Sequence, residues 1–100
     1  MRFKEGIKLA GLRAETVIAL TIAADVFRDV ANANLVVTEV TGGKHGRGSL
    51  HYVGQAADLR SRDLTREQQN NVVLELRERL GENYDVILEP THIHVEFQPK

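Results

Sequence analysis

Two β-strand patterns near the end of the chain are separated by only three residues, and this spacing restricts the fold more than any other feature. The two patterns are Tyr84–Leu88 and His92–Phe97, with Glu89-Pro90-Thr91 between them. Parallel strands need a crossover connection of a dozen or more residues, so a three-residue connection predicts that these strands pair as antiparallel neighbours. The chain is therefore expected to contain an antiparallel sheet.

Two helix patterns and two further strand patterns precede this pair. Apolar residues recur at helical spacing over about residues 14–32, and again from Val72 to Leu80. Thr65 and Gln68 form a capping-box pattern before the second helix, and Gly81 follows its last apolar residue. Residues 35–41 and 56–60 have the character of strands. The element order predicts an α+β fold, with a small antiparallel-rich sheet and two main helices packed on one face.

Size and composition predict one domain spanning residues 1–100, because a chain of 100 residues has no room for a second core. Its 13 basic and 14 acidic side chains give a net charge of −1, so we expect no nucleic-acid partner. The chain has no cysteine, which excludes disulfides and thiolate ligands. No apolar run is long enough for a secretory signal or a membrane span. We expect a cytoplasmic monomer that does not contact membranes.

The most specific chemistry lies in two short segments that contain histidine. They are Ser49-Leu50-His51-Tyr52-Val53-Gly54-Gln55-Ala56-Ala57-Asp58 and His92-Ile93-His94. Without cysteine, only His, Asp and Glu remain as plausible metal ligands. Two imidazoles and one carboxylate, from His51, Asp58 and His94, would leave the fourth tetrahedral position of zinc open. An open position is typical of a catalytic zinc site and not of a structural one.

Strand periodicity supports this hypothesis. Side chains alternate between the two faces of a strand, so His92, His94 and Glu96 share a polar face, and Asp58 is expected to point away from the core. His51 and Asp58 are seven residues apart and need a turn between them to share a metal. A His-x-His pair alone is more often a solvated face than a metal site. The metal hypothesis therefore depends on the presence of both segments in one short chain.

The pattern Ser-x-His-x-x-Gly-x-Ala-x-Asp, followed by an acidic residue and His-x-His, resembles the zinc D-Ala-D-Ala carboxypeptidases and phage L-alanyl-D-glutamate endolysins. The Hedgehog signalling domain shares their fold and motif. The resemblance spans about residues 35–97. It implies a Hedgehog/D,D-peptidase-like fold and one Zn²⁺ ion held by His51, Asp58 and His94. It also implies that His92 lies beside the metal as a catalytic group and that Glu89 is the general base.

Two assignments within the resemblance stay open. Glu89 precedes His92 by three residues and His94 by five, and relatives differ in this spacing, so His92 remains a rival ligand. Residues 89 and 94 would face opposite ways on one regular strand, so His94 as ligand requires Pro90-Thr91 to break the strand. The alternative role of Glu89 is that of a turn residue before Pro90.

Four residues are weaker candidates for substrate binding. Arg47 is one of the basic residues nearest the motif, where the carboxypeptidases use an upstream arginine to hold the substrate carboxylate; it is otherwise a solvated loop charge. His45 has a counterpart in the Hedgehog loop, and its alternative is an exposed histidine. Tyr52 either lines the cleft or packs against the sheet. Ser49 is expected to order the turn and not to act as a nucleophile.

The leading hypothesis is a zinc-dependent peptidase that hydrolyses peptidoglycan peptide bonds involving D-amino acids, of the carboxypeptidase or endolysin type. The resemblance alone supplies this substrate. Such an enzyme, made in the cytoplasm, would reach the cell wall through a holin or a similar route. The alternative is a non-catalytic zinc-binding interaction module of the same fold. A third hypothesis is a structural domain whose histidines have no metal.

Overall fold

The computed structural model describes residues 1–40 and 55–100, and these form two helices and a five-stranded sheet. In chain order the elements are β1 (Arg2–Phe3), α1 (Ala14–Ala31), β2 (Val36–Glu39), β3 (Ala56–Arg60), α2 (Arg66–Leu80), β4 (Tyr84–Leu88) and β5 (His92–Phe97). The α+β class and both predicted helices are confirmed.

The sheet is mixed, with the strand order β1-β2-β3-β5-β4. The pairs β2–β3, β3–β5 and β4–β5 are antiparallel, as the short connection between the last two strands predicts. Strand β1 pairs in parallel with β2 and was not predicted from the sequence. Its two residues are too few to show a periodic pattern. The parallel pairing is possible because α1 lies between β1 and β2 and supplies the crossover connection.

One face of the sheet packs against both helices and forms the core. Alternate residues of β3 and β5, such as Leu59 and Ile93, are fully buried there together with Phe27 of α1 and Leu76 of α2. A second link joins α2 to β4, because the guanidinium of Arg77 donates two hydrogen bonds to a β4 carbonyl oxygen. The other face of β3 and β5 is therefore the face that carries polar side chains.

The predicted ends of α2 are confirmed. The hydroxyl of Thr65 accepts a hydrogen bond from the Gln68 amide at 3.1 Å, and the Gln68 side chain accepts one from the Thr65 amide at 2.9 Å. This reciprocal pair is the capping box. Gly81 ends the helix with a φ of 82°, a conformation that residues with a Cβ rarely adopt. Within the described residues, neither helix has the length and apolar character needed to cross a membrane.

The connection between β4 and β5 is a tight turn. Strand β4 ends at Leu88 and β5 begins at His92, and the Glu89 amide donates a hydrogen bond of 2.9 Å to the His92 carbonyl oxygen. Glu89-Pro90-Thr91 therefore lie outside both strands. The strand is therefore interrupted at Pro90-Thr91, and which histidine binds the metal stays a prediction.

Candidate metal centre

The register between β3 and β5 assembles the site. Asp58 lies directly opposite His94, and Arg60 lies directly opposite His92. These side chains project from the sheet face away from the helices, since the intervening residue Leu59 is fully buried on the helix side. The expectation that Asp58 points away from the core is confirmed. Two adjacent antiparallel strands thus place an aspartate and two histidines side by side.

The ligand atoms of these three residues lie within 4.8 Å of one another. Asp58 Oδ1 is 2.8 Å from His94 Nδ1 and 3.5 Å from His92 Nε2. The side chains of all three are largely shielded, with 13% of Asp58, 19% of His94 and 29% of His92 exposed. Asp58 is therefore the common partner of both histidines, and the group is partly buried and still open to a small ligand.

The spacing and the chemistry of the donor set fit a zinc ion. Bonds of about 2.0–2.1 Å to a tetrahedral ion separate neighbouring ligand atoms by about 3.4 Å. The distance of 3.5 Å between Asp58 and His92 matches this separation. The distance of 2.8 Å between Asp58 and His94 is a hydrogen bond, which must lengthen by about half an ångström for both atoms to bind one ion. One carboxylate and two imidazoles are common zinc ligands.

The carboxylates around His94 favour its protonated form. The hydrogen bond to Asp58 raises the pKa of His94 above its ordinary value of 6.5, and the negative charges of Asp58 and Glu96 raise it further against the opposing effect of burial. A metal binds only the neutral imidazole, so a proton competes with a metal at His94. Metal binding at this site should release a proton and strengthen as the pH rises.

Neighbouring side chains orient the two histidines. Glu96 Oε1 lies 3.3 Å from His94 Nε2, and the other oxygen of Glu96 accepts a hydrogen bond from the Gln98 side chain at 2.8 Å. The Thr91 hydroxyl lies 3.0 Å from His92 Nδ1, which leaves His92 Nε2 turned towards Asp58. Such partners fix the rotation of an imidazole and hence which nitrogen faces a metal.

A groove of about 400 Å³ opens beside the cluster. Asp58 and His92 line it at the metal-binding end. Its remaining lining residues come from the segment after β1, from β2, from β3 and its following turn, and from the β4–β5 turn; they are Lys4, Thr38, Glu39, Arg60, Arg62, Pro90 and Thr91. This groove is large enough to admit part of a peptide next to the candidate ligands.

The structure brings together three of the residues singled out in the sequence, namely Asp58, His92 and His94. The other predicted ligand, and all four weaker substrate-binding candidates, lie outside the described residues: these are His51, His45, Arg47, Ser49 and Tyr52. The predicted turn between His51 and Asp58 falls in the same part of the chain. Their roles stay predictions.

Glu89 is half-buried in the β4–β5 turn, where its backbone amide bonds to His92. Within residues 1–40 and 55–100, the carboxylates in contact with the histidine pair are those of Asp58 and Glu96. The catalytic role of Glu89 stays a prediction, and its position agrees equally with a turn residue before Pro90.

Sequence reasoning placed Glu96 on the polar face of β5 and Arg60 on the same face of β3 as Asp58, but it included neither in the site. The period-two alternation that identified His92 and His94 also points to Glu96. The position of Arg60 opposite His92 is known only from the β3–β5 register. Comparison of the chain with protein-family models and with curated proteins finds no match.

Proposed function

We propose that this chain is a zinc-dependent peptidase that hydrolyses peptidoglycan peptide bonds involving D-amino acids, of the carboxypeptidase or endolysin type. The observation that carries the proposal is the convergence of Asp58, His92 and His94 on adjacent strands beside an open groove. The motif in residues 49–58 and the downstream His-x-His support the peptidase class. The same motif supports a Hedgehog/D,D-peptidase-like version of the α+β fold.

In this proposal His51, Asp58 and His94 hold the ion, and His92 lies beside it. Zinc bound there would polarise the substrate carbonyl and lower the pKa of a nearby water molecule. Glu89 would accept a proton from the attacking water. His92 would donate a hydrogen bond to the carbonyl oxygen as negative charge develops on it. Asp58 would contribute a ligand oxygen, and its hydrogen bond of 2.8 Å to His94 Nδ1 would give way to the two bonds to the metal.

The decisive experiment combines metal analysis with a digestion assay. Purified protein should contain about one zinc ion per chain and should release D-alanine or new amino termini from peptidoglycan. Glu89→Gln should retain zinc and lose most of the activity, because the amide accepts no proton at neutral pH. Glu82→Gln, an exposed turn residue at the opposite end of β4, is the matched control. Wild-type protein that binds zinc but leaves peptidoglycan intact would contradict the peptidase proposal.

A second candidate, a non-catalytic zinc-binding interaction module, is favoured by the position of Glu89. Among the described residues, the carboxylates in contact with the histidine pair are those of Asp58 and Glu96, so the proposed general base is not beside the candidate ligands. A module needs no general base, and a fourth protein ligand would close the tetrahedral shell to substrate and water. X-ray absorption spectra of the zinc-loaded protein distinguish the candidates. Three protein ligands and one water favour the enzyme, whereas four protein ligands favour the module.

If the peptidase proposal holds, the biological setting follows from the substrate. A peptidase of this type made in the cytoplasm would act as a phage or bacterial lysis enzyme after release by a holin. The interaction module would not need to reach the cell wall and so would need no holin.

A further inference from the structure

Strand β4 forms one edge of the sheet, and its outer side has no neighbouring strand. Asn83 and Glu89 flank this strand, and both have backbone hydrogen bonds to the β5 side. Hydrogen-bonded positions recur at every second residue of an antiparallel pair, so the even-numbered residues of β4 direct their backbone N–H and C=O groups outward. These residues are Tyr84, Val86 and Leu88. Outward backbone groups on an edge strand are a template for pairing with another strand.

A side chain from α2 occupies the centre of this edge. The guanidinium of Arg77 donates two hydrogen bonds to the Val86 carbonyl oxygen, at 3.2 Å from Nε and 2.8 Å from Nη2. No ion pair within residues 1–40 and 55–100 includes Arg77, so its fork is directed at the backbone. In the same part of the chain, the outward amides of Val86 and Leu88 have no hydrogen-bond partner. Arg77 therefore covers one acceptor of an edge that is otherwise open.

A groove of about 600 Å³ runs along the outer side of β4. Its walls come from the last turn of α2 and from β4 itself, and Lys100 lies at the end where β4 begins. The side chain of Ile87 lines this groove and is 42% exposed. The edge thus combines free backbone groups with an exposed apolar side chain. This combination favours the addition of an extended strand.

The charge pattern of β4 favours a second copy of this chain as the added strand. In an antiparallel pair with its two-fold axis at Val86, Asp85 of each copy lies opposite Ile87 of the other, so no like charges meet. Moving the axis by one residue sets Asp85 opposite Asp85 or opposite Glu89, and like charges directly opposite repel. With the axis at Val86, Lys100 at the start of one strand lies near Glu89 at the end of the other, which adds an attraction.

We propose that the free edge of β4 is a pairing surface for β4 of a second copy of this chain, and that Arg77 keeps it closed. In the paired state the Val86 carbonyl oxygen would accept a hydrogen bond from the Val86 amide of the other copy, where the Arg77 guanidinium now donates. Two guanidinium groups would also meet at the two-fold axis and repel each other. The wild-type chain is therefore expected to be monomeric, and loss of Arg77 joins two sheets into one. This inference does not depend on the proposed peptidase function.

The test is analytical ultracentrifugation of the full-length protein over a concentration series, in EDTA so that no metal bridges two copies. Arg77→Met keeps an apolar stem and removes the forked donor. We expect the wild type at the monomer mass and Arg77→Met at about twice that mass. Arg79→Met is the matched control, because Arg79 lies on the same helix and contacts Asp29 and Glu75 instead of β4. This control should stay monomeric.

A second substitution locates the interface. Leu88→Pro removes an outward-facing amide and leaves the hydrogen bonds between β4 and β5 in place. The double variant Arg77→Met/Leu88→Pro should therefore return to the monomer mass.

Circular dichroism first establishes that each variant is folded. A folded Arg77→Met that stays monomeric at every concentration overturns the inference. A dimer that persists with Leu88→Pro also overturns it, because another surface would then form the interface. If Arg77→Met does not fold, Arg77→Lys takes its place, since it keeps the charge and the stem and loses the fork. The same two outcomes decide the matter for that variant.

Discussion

Two clusters of charged side chains in this molecule have similar interatomic distances and very different surroundings. The sheet cluster consists of Asp58, His92, His94 and Glu96, with contacts of 2.8–3.5 Å. The helix cluster joins α1 to α2 and consists of Asp25, Arg28, Asp29, Glu75 and Arg79, with contacts of 3.0–3.2 Å. Side chains of the sheet cluster are 13–29% exposed, whereas those of the helix cluster are 35–66% exposed.

The difference shows that short contacts between charged groups do not by themselves indicate a functional site. In the helix cluster, permanently charged arginines meet carboxylates in water, an arrangement that contributes little to stability, and the fixed positive charges oppose the binding of a metal cation. The sheet cluster combines carboxylates with imidazoles, which are neutral or charged according to pH. The sheet cluster is partly buried, and its carboxylate oxygens and imidazole nitrogens can all bind a metal, so it is the better candidate for a metal centre.

The largest expected effect that separates the clusters is on zinc affinity. Asp58→Asn should weaken zinc binding by about a hundredfold or more, because a neutral amide replaces the carboxylate shared by both histidines. Isothermal titration calorimetry or competition with a chelator measures the change. Asp29→Asn in the helix cluster is the matched control and should bind zinc like the wild type. If both variants bind zinc equally well, the sheet cluster is not the metal centre.

A comparison within the sheet cluster should sharpen the assignment of its histidines. His94→Ala should lose about a hundredfold in zinc affinity and His92→Ala about tenfold, because His94 is less exposed and closer to Asp58. Circular dichroism confirms that each variant is folded before the titration. The reverse order of affinities would identify His92 as the ligand and His94 as the helper.

In the metal-free protein, the stability contributed by the sheet cluster should fall at alkaline pH, and that contributed by the helix cluster should fall at acid pH. The pKa of His94 is raised above 6.5, so the folded state holds that proton more tightly than the unfolded state. Its stabilising effect is fully present below about pH 6.5 and is lost as the pH rises through the raised pKa.

In the helix cluster, Arg79 lowers the pKa of Asp29 below 3.8. The stabilisation of the folded state by ionised Asp29 is present above about pH 3.8 and is lost as the pH falls through the lowered pKa. Urea unfolding in EDTA across the acid and alkaline ranges measures both effects. His94→Gln should remove part of the alkaline loss and Asp29→Asn part of the acid loss. An alkaline loss that is unchanged in His94→Gln would contradict the assignment.

The smallest expected effect is on the helix cluster itself. Arg79→Met removes the contacts to Asp29 and Glu75 while keeping an apolar stem, and it should lower the melting temperature only slightly. Sodium chloride at about 1 M, where screening acts over about 3 Å, should abolish most of the difference from wild type. A large loss of stability that persists in high salt would show that the helix cluster is a structural anchor.

Much of the fold could be predicted from local patterns in the sequence. The capping box at Thr65, the end of α2 at Gly81 and the tight connection at Glu89-Pro90-Thr91 are all encoded by a few adjacent residues. These features depend on backbone hydrogen bonds within a short stretch, so they are visible without knowledge of tertiary structure. Strand β1 was missed because its formation depends on pairing with β2, far along the chain.

The candidate site was predictable only in part. Alternation identified the polar face of β5, and the motif identified Asp58. The pairing of Asp58 with His94, and of Arg60 with His92, depends on the register between β3 and β5. Many registers keep apolar residues on the core side, so the sequence pattern does not select one. The groove beside the site depends on that register and on the segment after β1, and for that reason sequence reasoning did not find it.

The register of β3 and β5 also has a kinetic consequence. Asp58 and His94 are 36 residues apart, and α2 and β4 lie between them in the chain. Their approach requires closure of a long loop, which is among the slower steps of folding. An unfolded chain offers zinc no such pair, so the ion should bind after the sheet has formed. In stopped-flow experiments zinc should therefore slow unfolding and leave the folding rate nearly unchanged, whereas accelerated folding would show that the ion helps to nucleate the sheet.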